Sequence, residues 1–446
     1  MALDKEKMRM ALLLAAGLVL GVLSIFVPLK YVALLAALIG VIVFTFYFME
    51  ASFCLFIVFM SALPHQLWNN VLIMLAALFY LGVFYLQVLA GKRAPLPYKR
   101  VNIFLYFFVF FAAYSLFISN SVGDSLRVFM ILFSCIILSI VLMGLITDKK
   151  TLNMVLSFIC VGVFLTSLYG VYQKITGVEM RAEFIDFVVS ANMPGRIFST
   201  MDNPNNYAEY LTLLLPLCLA YFLTSRDEIK KFVILMVFGL GALMLVFTLS
   251  RGAYLTFAFG LALFILMVNS RLIPYGIILV LVIVPLMPNN FIINRLMTIG
   301  KDSSSSYRFL IWEGVLRMIQ AYGLQGIGMG PSAFRKIYDI YSNDAAYNAW
   351  HSHNLILQMW VEMGIGGLIS FLALMFTTIR SIFVEYFRTK EKYFKYILAG
   401  LVFSIVAIVL FSFAEYVWYY PRVMLTFWLV LGVSYGVVNL SRGGLN

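Results

Sequence analysis

Two of the three histidines in the chain lie close together where a long polar segment meets an apolar run. His351 and His353 directly precede Asn354, after which the sequence continues as an apolar helix. Histidine is the side chain best suited to take up and return a proton near neutral pH, as the activation of a hydroxyl group requires. Asn354 is a preferred helix N-cap, and the helix dipole there favours the neutral imidazole that a base needs. The alternative is that both histidines are surface residues at a membrane boundary, fixed by hydrogen bonds.

Three arginines stand at positions where turns hold them or where a charge is costly. Arg196 precedes an asparagine-rich turn that contains Asn205, Arg251 interrupts two apolar runs, and Arg308 follows four consecutive serines. A guanidinium group forms forked hydrogen bonds to phosphate oxygens. A charge inside a membrane span costs roughly 2.5–3.5 kcal/mol at the span centre, so Arg251 should have an anionic partner.

Each arginine also has a simpler interpretation. Arg196 would pair on the surface with Asp202 or Glu209, Arg251 would extend to lipid headgroups, and Arg308 would be an exposed helix charge.

Arginines that bind a diphosphate, together with a histidine that deprotonates a hydroxyl group, indicate a lipid-diphosphate donor and a hydroxyl acceptor. Acidic residues with metal-ligand spacing do not accompany them, so neither a metal nor another cofactor is expected. The glycine-rich stretch 323–331 resembles a phosphate-binding loop only superficially, because no strand precedes it and no Lys-Ser/Thr pair follows it. The four cysteines fall in apolar runs without metal spacing, and we interpret them as small buried hydrophobes.

The elements that must position these residues are membrane spans. The chain of 446 residues is 63% hydrophobic and 12% charged, with a mean hydropathy of +0.97, and apolar runs of spanning length recur throughout. The sequence therefore predicts an all-α, polytopic membrane protein. We predict fourteen transmembrane helices, at about 11–29, 31–48, 51–67, 71–90, 101–120, 128–147, 151–173, 208–224, 232–249, 252–268, 273–289, 353–379, 396–415 and 422–440.

The basic residues predict the orientation of these spans. They cluster in every second connection, which puts both termini in the cytoplasm. The net charge of +12 is thereby explained without nucleic acid, which we do not expect as a partner. Two long outer segments follow, 174–207 and 288–352, and long connections are often functional. We expect an N-terminal transmembrane bundle at 1–173, a catalytic region at 174–379 and a C-terminal transmembrane hairpin at 380–446.

Five short motifs in this order resemble the superfamily of O-antigen ligases and O-antigen polymerases, which are membrane glycosyltransferases of bacterial envelope glycans. The resemblance covers about residues 170–380. The motifs are Gly195-Arg196 with Asn203-Pro204-Asn205-Asn206-Tyr207-Ala208; Ser250-Arg251-Gly252-Ala253; Ser306-Tyr307-Arg308 with Trp312; Gly326-Ile327-Gly328-Met329-Gly330; and His353-Asn354 with Leu357-Gln358, Glu362 and Gly364-Ile365-Gly366-Gly367.

The resemblance implies a donor glycan carried on undecaprenyl diphosphate at the outer face of a bacterial cytoplasmic membrane, and a fold similar to that of type C glycosyltransferases. It implies that His353 activates the acceptor hydroxyl and that Arg251 and Arg308 act in catalysis. It implies a metal-independent reaction. The residues expected to bind substrate are Arg196, Asn205, Arg251, Arg308, His351 and Asn354.

The acceptor distinguishes the two activities of the superfamily. A polymerase transfers the glycan to another lipid-linked repeat unit, whereas a ligase transfers it to lipid A-core or another acceptor. Fourteen spans resemble the polymerase pattern more than the ligase pattern of twelve, so we favour a polymerase of cell-surface polysaccharide and keep the ligase as the alternative. A transporter or flippase is less expected because we find no inverted repeat and few charged residues within spans. A receptor or scaffold would not need arginines at the membrane edge.

Overall fold

A computed structural model describes residues 28–96, 101–177, 195–272, 303–343 and 346–443. These residues form α-helices, short 3-10 turns and connections, and the described ranges contain no strand. The all-α prediction is confirmed. The helices are α1 (Leu29–Tyr47), α2 (Met49–Ala62), α3 (Val71–Leu89), α4 (Ile103–Phe117), α5 (Val122–Leu145), α6 (Lys149–Thr176), α7 (Pro204–Thr224), α8 (Glu228–Phe247), α9 (Arg251–Asn269), α10 (Ser303–Tyr322), α11 (Pro331–Tyr341), α12 (Leu355–Arg388), α13 (Lys392–Phe411) and α14 (Pro421–Ser441).

Twelve of the predicted spans coincide with α1–α9 and α12–α14. Within the described ranges, ten helices are long and apolar enough to cross a membrane, and α2 and α4 are shorter apolar helices. The chain is therefore a multi-pass membrane protein. Two predictions lie outside the described residues: the span at 11–29, apart from its last two residues, and the span at 273–289. The same holds for residues 178–194 and 288–302 of the predicted outer segments, and for residues 344–345.

Three helix ends differ from the predicted boundaries. α2 ends at Ala62 rather than at 67, because the residue before Pro64 disfavours helical geometry. α12 continues to Arg388 rather than 379, and its buried Glu385 accepts hydrogen bonds from Ser441 Oγ at 2.8 Å and Arg442 Nε at 2.9 Å. α13 ends at Phe411 rather than 415, so Glu415 lies in the connection to α14.

Polar residues fix the starts of several spanning helices. Each accepts a hydrogen bond from a backbone N–H of the first helical turn, which that turn cannot satisfy internally. The capping residues are Asn102, Asp148, Asn203, Asp227 and Asn354. Proline, whose missing N–H costs nothing there, occupies the first turn of α7, α11 and α14.

The chain forms two compact units. Within the described residues the first contains 28–53 and 82–94, where Gln87 donates a hydrogen bond to the Phe46 carbonyl at 2.8 Å and Arg93 pairs with Glu50. The second contains 54–81 and the described residues from 95 onward.

Three spanning helices of the second unit are largely buried: α7, α13 and α14. α7 and α13 pack closely against each other, α9 lies against α13, α5 against α14, and α4 against α12. A Cβ atom at Gly400 of α13 would stand 2.6 Å from the Ala220 Cβ and 2.8 Å from the Pro216 carbonyl oxygen of α7. Glycine at this position therefore permits the close approach of α7 and α13.

α12 is broken near its N-terminal end by Gly364, whose φ of 70° and ψ of −177° are open to glycine and to almost no other residue. The break frees the carbonyls of Val361 and Glu362, which accept hydrogen bonds from the amides of Ile327 and Gly328, each at 3.0 Å. We call residues 323–330 the glycine loop. The glycine loop therefore uses these two amides to bind the broken helix. They are not free to bind phosphate, as they would be in a phosphate-binding loop.

Candidate active site

The segment that carries both histidines is held from the protein side. The backbone N–H of Ser352 donates to Gln358 Oε1 at 2.7 Å, and the Ser352 carbonyl accepts from Trp312 Nε1 at 2.9 Å. His353 follows with a φ of +49°, an uncommon conformation for a residue with a side chain. Such local strain persists only where the surroundings fix it. Trp312 of α10 and Gln358 of α12 thus set the position of His353.

Asn354 is the N-cap of α12, as predicted. Its side-chain oxygen accepts hydrogen bonds from the amides of Ile356 at 2.9 Å and Leu357 at 3.1 Å. Its side-chain nitrogen donates to the Phe413 carbonyl at 2.9 Å, and the residue is buried. Asn354 therefore ties the start of α12 to the connection between α13 and α14.

Glu415 joins the histidine to the arginines. One carboxylate oxygen lies 2.7 Å from His353 Nδ1, and the other accepts from an Arg308 guanidinium nitrogen at 2.8 Å and from Asn205 Nδ2 at 2.9 Å. The side chain of Glu415 is only 9% exposed. A single buried carboxylate thus gathers residues from α7, α10 and the histidine segment.

The charge of Glu415 fixes the proton on His353. Burial acts to raise the pKa of this carboxyl, but Arg308 and His353 outweigh it and hold the pKa well below its usual range. An ionised carboxylate can only accept a hydrogen bond, so His353 Nδ1 must donate. In the neutral ring the other nitrogen, Nε2, then carries the free lone pair. This is the tautomer of a general base oriented by an acid.

The His351 ring contacts two other rings. Its centroid lies 4.1 Å from that of His353 and 4.2 Å from that of Tyr419, both with tilted planes, and His351 Nδ1 accepts from the His353 backbone N–H at 3.2 Å. Burial of the ring, with smaller effects of His353 and Arg308, lowers the pKa of His351 well below its usual value, although Glu415 opposes the shift. His351 is therefore a neutral ring that supports its neighbour.

The three arginines line one polar cavity of about 60 Å³. This volume has room for several waters. Arg196 donates to the Thr248 carbonyl and to Asn205 Oδ1, each at 2.8 Å, and Asn205 in turn reaches Glu415. The lining residues are Arg196, Asn205, Leu249, Ser250, Arg251, Gly252, Arg308, Phe411 and Glu415. Positive groups from three separated parts of the chain thus converge beside the carboxylate that holds His353.

The link between α8 and α9 brings Arg251 to this cavity. Leu249 takes a φ of 58°, and Arg251 then begins α9. Gly252 allows close packing, because a Cβ atom there would stand 2.6 Å from the Phe411 ring. The tight, strained link explains how two spans with almost no connection still present a charged side chain at their junction.

His351, His353 and Glu415 also have the composition of a metal site, since one ligand atom of each lies within 4.8 Å of the others. However, the His353 Nδ1 and Glu415 Oε1 atoms are 2.7 Å apart, the separation of a direct hydrogen bond. The cluster as arranged is bonded internally. The metal-independent reaction remains a prediction.

Sequence reasoning missed Glu415, because it fell at the end of a predicted span. One signal was available: Glu415 is the only acidic residue after Glu391, and it stands beside a long apolar run. A lone carboxylate at a membrane boundary needs a cationic partner, and Arg308 is that partner.

Comparisons with known proteins found two partial similarities. Residues 233–372 match a family model described as O-Antigen ligase. A stretch of 176 residues is 28% identical to a Rickettsia conorii protein that carries the provisional name polysaccharide ligase. The aligned part covers 38% of this chain and 39% of that relative, so the likeness concerns well under half of either protein.

Proposed function

We propose that this chain, whose residues 233–372 match a family model described as O-Antigen ligase, belongs to the superfamily of O-antigen ligases and polymerases and transfers a glycan from undecaprenyl diphosphate to a hydroxyl group. The reaction takes place at the outer face of a bacterial cytoplasmic membrane. The observation that supports the proposal is the hydrogen-bonded set of His353, Glu415 and Arg308, in which an imidazole and a guanidinium group share one carboxylate.

The transfer is a single displacement at the anomeric carbon of the donor. His353 Nε2 takes the proton of the acceptor hydroxyl while its oxygen bonds to that carbon. The bond from the anomeric carbon to the diphosphate oxygen breaks, and the lipid diphosphate leaves with the electron pair. Glu415 stabilises the imidazolium that forms, as an acid does in a catalytic triad.

The arginines bind the diphosphate and neutralise its growing charge in the transition state. Arg196, Arg251 and Arg308 carry three positive charges, and Glu415 removes one, which leaves a net charge suited to the two negative charges of a diphosphate diester. Asn205 bridges Arg196 and Glu415, because its oxygen accepts from the arginine and its nitrogen donates to the carboxylate. Because guanidinium groups supply the charge that a cation would otherwise provide, the reaction proceeds without a metal.

The acceptor we favour is a second lipid-linked repeat unit, which makes the enzyme a polysaccharide polymerase. The support is the number of spans predicted from the sequence, fourteen, of which twelve coincide with apolar helices in the described residues. A ligase that uses lipid A-core or another acceptor is the second candidate, because the family model and the relative both carry ligase names.

The test incubates purified protein with lipid-linked repeat units, with and without lipid A-core, and reads product length on a gel. A ladder from repeat units alone supports the polymerase, whereas a product that needs lipid A-core supports the ligase. Glu415→Gln, which keeps the shape and removes the charge, should reduce either product by about 10²-fold. Absence of both products with verified substrates would contradict the proposed function.

A further inference from the structure

In residues 346–354, buried residues that pack against the protein alternate with exposed residues, most of which carry rings. Ala346, Ala349, Ser352 and Asn354 are buried. The positions between them are partly or largely exposed: Tyr347, Asn348, Trp350, His351 and His353. Four of these five side chains carry a ring. Because buried and exposed positions are separated in this way, the exposed rings form a surface next to His353, the proposed base.

This surface, which we call the aromatic ridge, consists of Tyr347, Trp350, His351 and Tyr419. Tyr347 is 54% exposed, Trp350 46% and Tyr419 43%. The Tyr419 and His351 ring centroids are 4.2 Å apart with their planes tilted by 38°, and those of His351 and His353 are 4.1 Å apart with a tilt of 54°. Tilted ring contacts therefore connect Tyr419 through His351 to the imidazole that takes the acceptor proton, and Trp350 directly precedes His351 in the chain.

Trp350 and the neighbouring Asn348 are held by α11, although they lie in a connection. The Arg335 guanidinium lies 4.3 Å from the Trp350 ring centroid and donates a hydrogen bond to Asn348 Oδ1. The Asn348 backbone N–H donates to Asp339 Oδ1 at 3.2 Å. Arg335 and Asp339 belong to α11, so this helix supports Trp350 from behind. Rings held in this way bind at little conformational cost.

We infer that the aromatic ridge binds the sugar rings of the acceptor and brings the attacking hydroxyl to His353. A sugar ring has an apolar C–H face and a rim of hydroxyl groups, which matches flat aromatic faces interleaved with amide and imidazole groups. The inference rests on the proposed transfer to a glycan hydroxyl, and it assigns the acceptor side of that reaction. The diphosphate side is the cavity lined by the arginines.

Exposed tyrosine and tryptophan also occur at membrane interfaces, where they contact lipid headgroups. The two roles differ in what they require of the side chain. Membrane contact depends on apolar surface, which leucine supplies as well, whereas stacking on a sugar requires a flat ring. Leucine and phenylalanine replacements at position 350 therefore separate the two roles.

The experiment measures transfer by full-length protein in nanodiscs while donor and acceptor concentrations are varied separately. Trp350→Ala and Tyr347→Ala should each raise the KM for the acceptor by about fivefold, which corresponds to the roughly 1 kcal/mol that a ring contact contributes. The donor KM should stay within about twofold. Trp350→Phe should recover most of the loss and Trp350→Leu little of it. Tyr172→Ala, which removes a 57% exposed tyrosine of α6 remote in sequence from the ridge, is the matched control and should leave the acceptor KM unchanged.

A binding measurement makes the result independent of catalysis. Lipid-free oligosaccharide released from the source bacterium's own envelope polysaccharide is titrated against each variant and followed by saturation-transfer NMR. If the parent protein binds the oligosaccharide and Trp350→Ala does not, the aromatic ridge is upheld. This result holds even if no transfer is observed and the proposed function is wrong. Active protein whose acceptor KM and oligosaccharide binding are unchanged in Trp350→Ala overturns the ridge. Full recovery by Trp350→Leu overturns it as well and assigns the residue to the membrane.

Discussion

At the level of single residues, one carboxylate decides what each neighbouring side chain can do. Glu415 accepts from Arg308, Asn205 and His353, and its charge forces the proton of the imidazole onto Nδ1. The free Nε2 then faces away from the carboxylate. His351 lacks such a partner in the described contacts of its ring nitrogens and instead accepts a backbone N–H.

The first prediction separates the two histidines. His353→Ala should lower glycan transfer by about 10²–10⁴-fold, the usual cost of losing a general base, while the protein still binds the lipid-linked donor. His351→Ala should cost about tenfold or less, because that ring contacts its neighbour and the acceptor but takes no proton. Transfer rate and donor binding are measured separately for each variant. A His353→Ala protein with a near-normal rate would remove the base assignment.

The second prediction concerns the ability of each arginine to form two parallel hydrogen bonds to a phosphate group. Arg308→Lys and Arg251→Lys should each lose at least about tenfold in transfer, because lysine keeps the charge but cannot form two parallel hydrogen bonds. Arg317 is the control: it lies on the exposed side of α10, paired with Glu313, and Arg317→Lys should leave the rate within about twofold. Parent-like activity of both lysine variants would mean that charge alone suffices.

The sequence alone identified the polar and charged residues that are energetically unfavourable beside an apolar membrane span. Arg251 between two apolar runs and two histidines at the start of a span indicate chemistry by their types and places alone. Their mutual arrangement was not accessible, because Glu415 lies 62 residues beyond His353 and looked like the end of a span. Local patterns predict which residues are unusual, whereas their pairing depends on how distant helices pack.

At the level of elements, α12 combines a span with a support for the site. A helix of 34 residues would be about 51 Å long if straight, well beyond the roughly 30 Å of a hydrocarbon core. The break at Gly364 divides it into a short part that follows the histidines and a longer part of spanning length. The spans themselves follow from hydropathy, but the break does not, because its partner is the glycine loop about 40 residues earlier.

The third prediction tests this break. Gly364→Ala should lower the thermal stability of the protein in detergent, because an alanine in this backbone conformation costs about 1–3 kcal/mol and its Cβ would stand 2.6 Å from the Leu324 carbonyl oxygen. Gly239→Ala in α8 is the matched control, since nothing lies within 4 Å of its added Cβ. Thermal unfolding followed by size-exclusion chromatography reports both. An unchanged melting temperature for Gly364→Ala would show that the break is not a glycine requirement.

At the level of the whole molecule, the distribution of basic residues predicts how the chain is oriented in the membrane. The fourth prediction labels single cysteines in intact cells with an impermeant thiol reagent, on a parent whose four cysteines are all buried. Lys336→Cys in α11 should react and Lys390→Cys between α12 and α13 should not, although both lysines are exposed on the protein. The reverse pattern would invert the orientation and put the candidate site on the cytoplasmic side.

The fifth prediction concerns what the complete protein needs besides its substrates. Transfer should survive EDTA and require no ATP, because the bond to the lipid diphosphate supplies the free energy and the arginines supply the positive charge. Activity is measured before and after chelation and after addition of magnesium, manganese or zinc. A loss that one of these ions restores would make the cluster of His351, His353 and Glu415 a metal site instead.

The hydrogen bonds around Glu415 also limit which segments of such proteins can be exchanged by recombination during evolution. The segment shared with the O-Antigen ligase family model, 233–372, contains Arg251, Arg308 and both histidines, but Arg196 and Asn205 precede it and Glu415 follows it. A recombination event that transplanted only the shared segment would unite a histidine and two arginines with foreign partners. We expect hybrids to inherit activity only when the residues at 196, 205 and 415 travel with the segment or are already matched in the recipient. If the proposed activity holds, the segment that must be inherited together is therefore longer than residues 233–372.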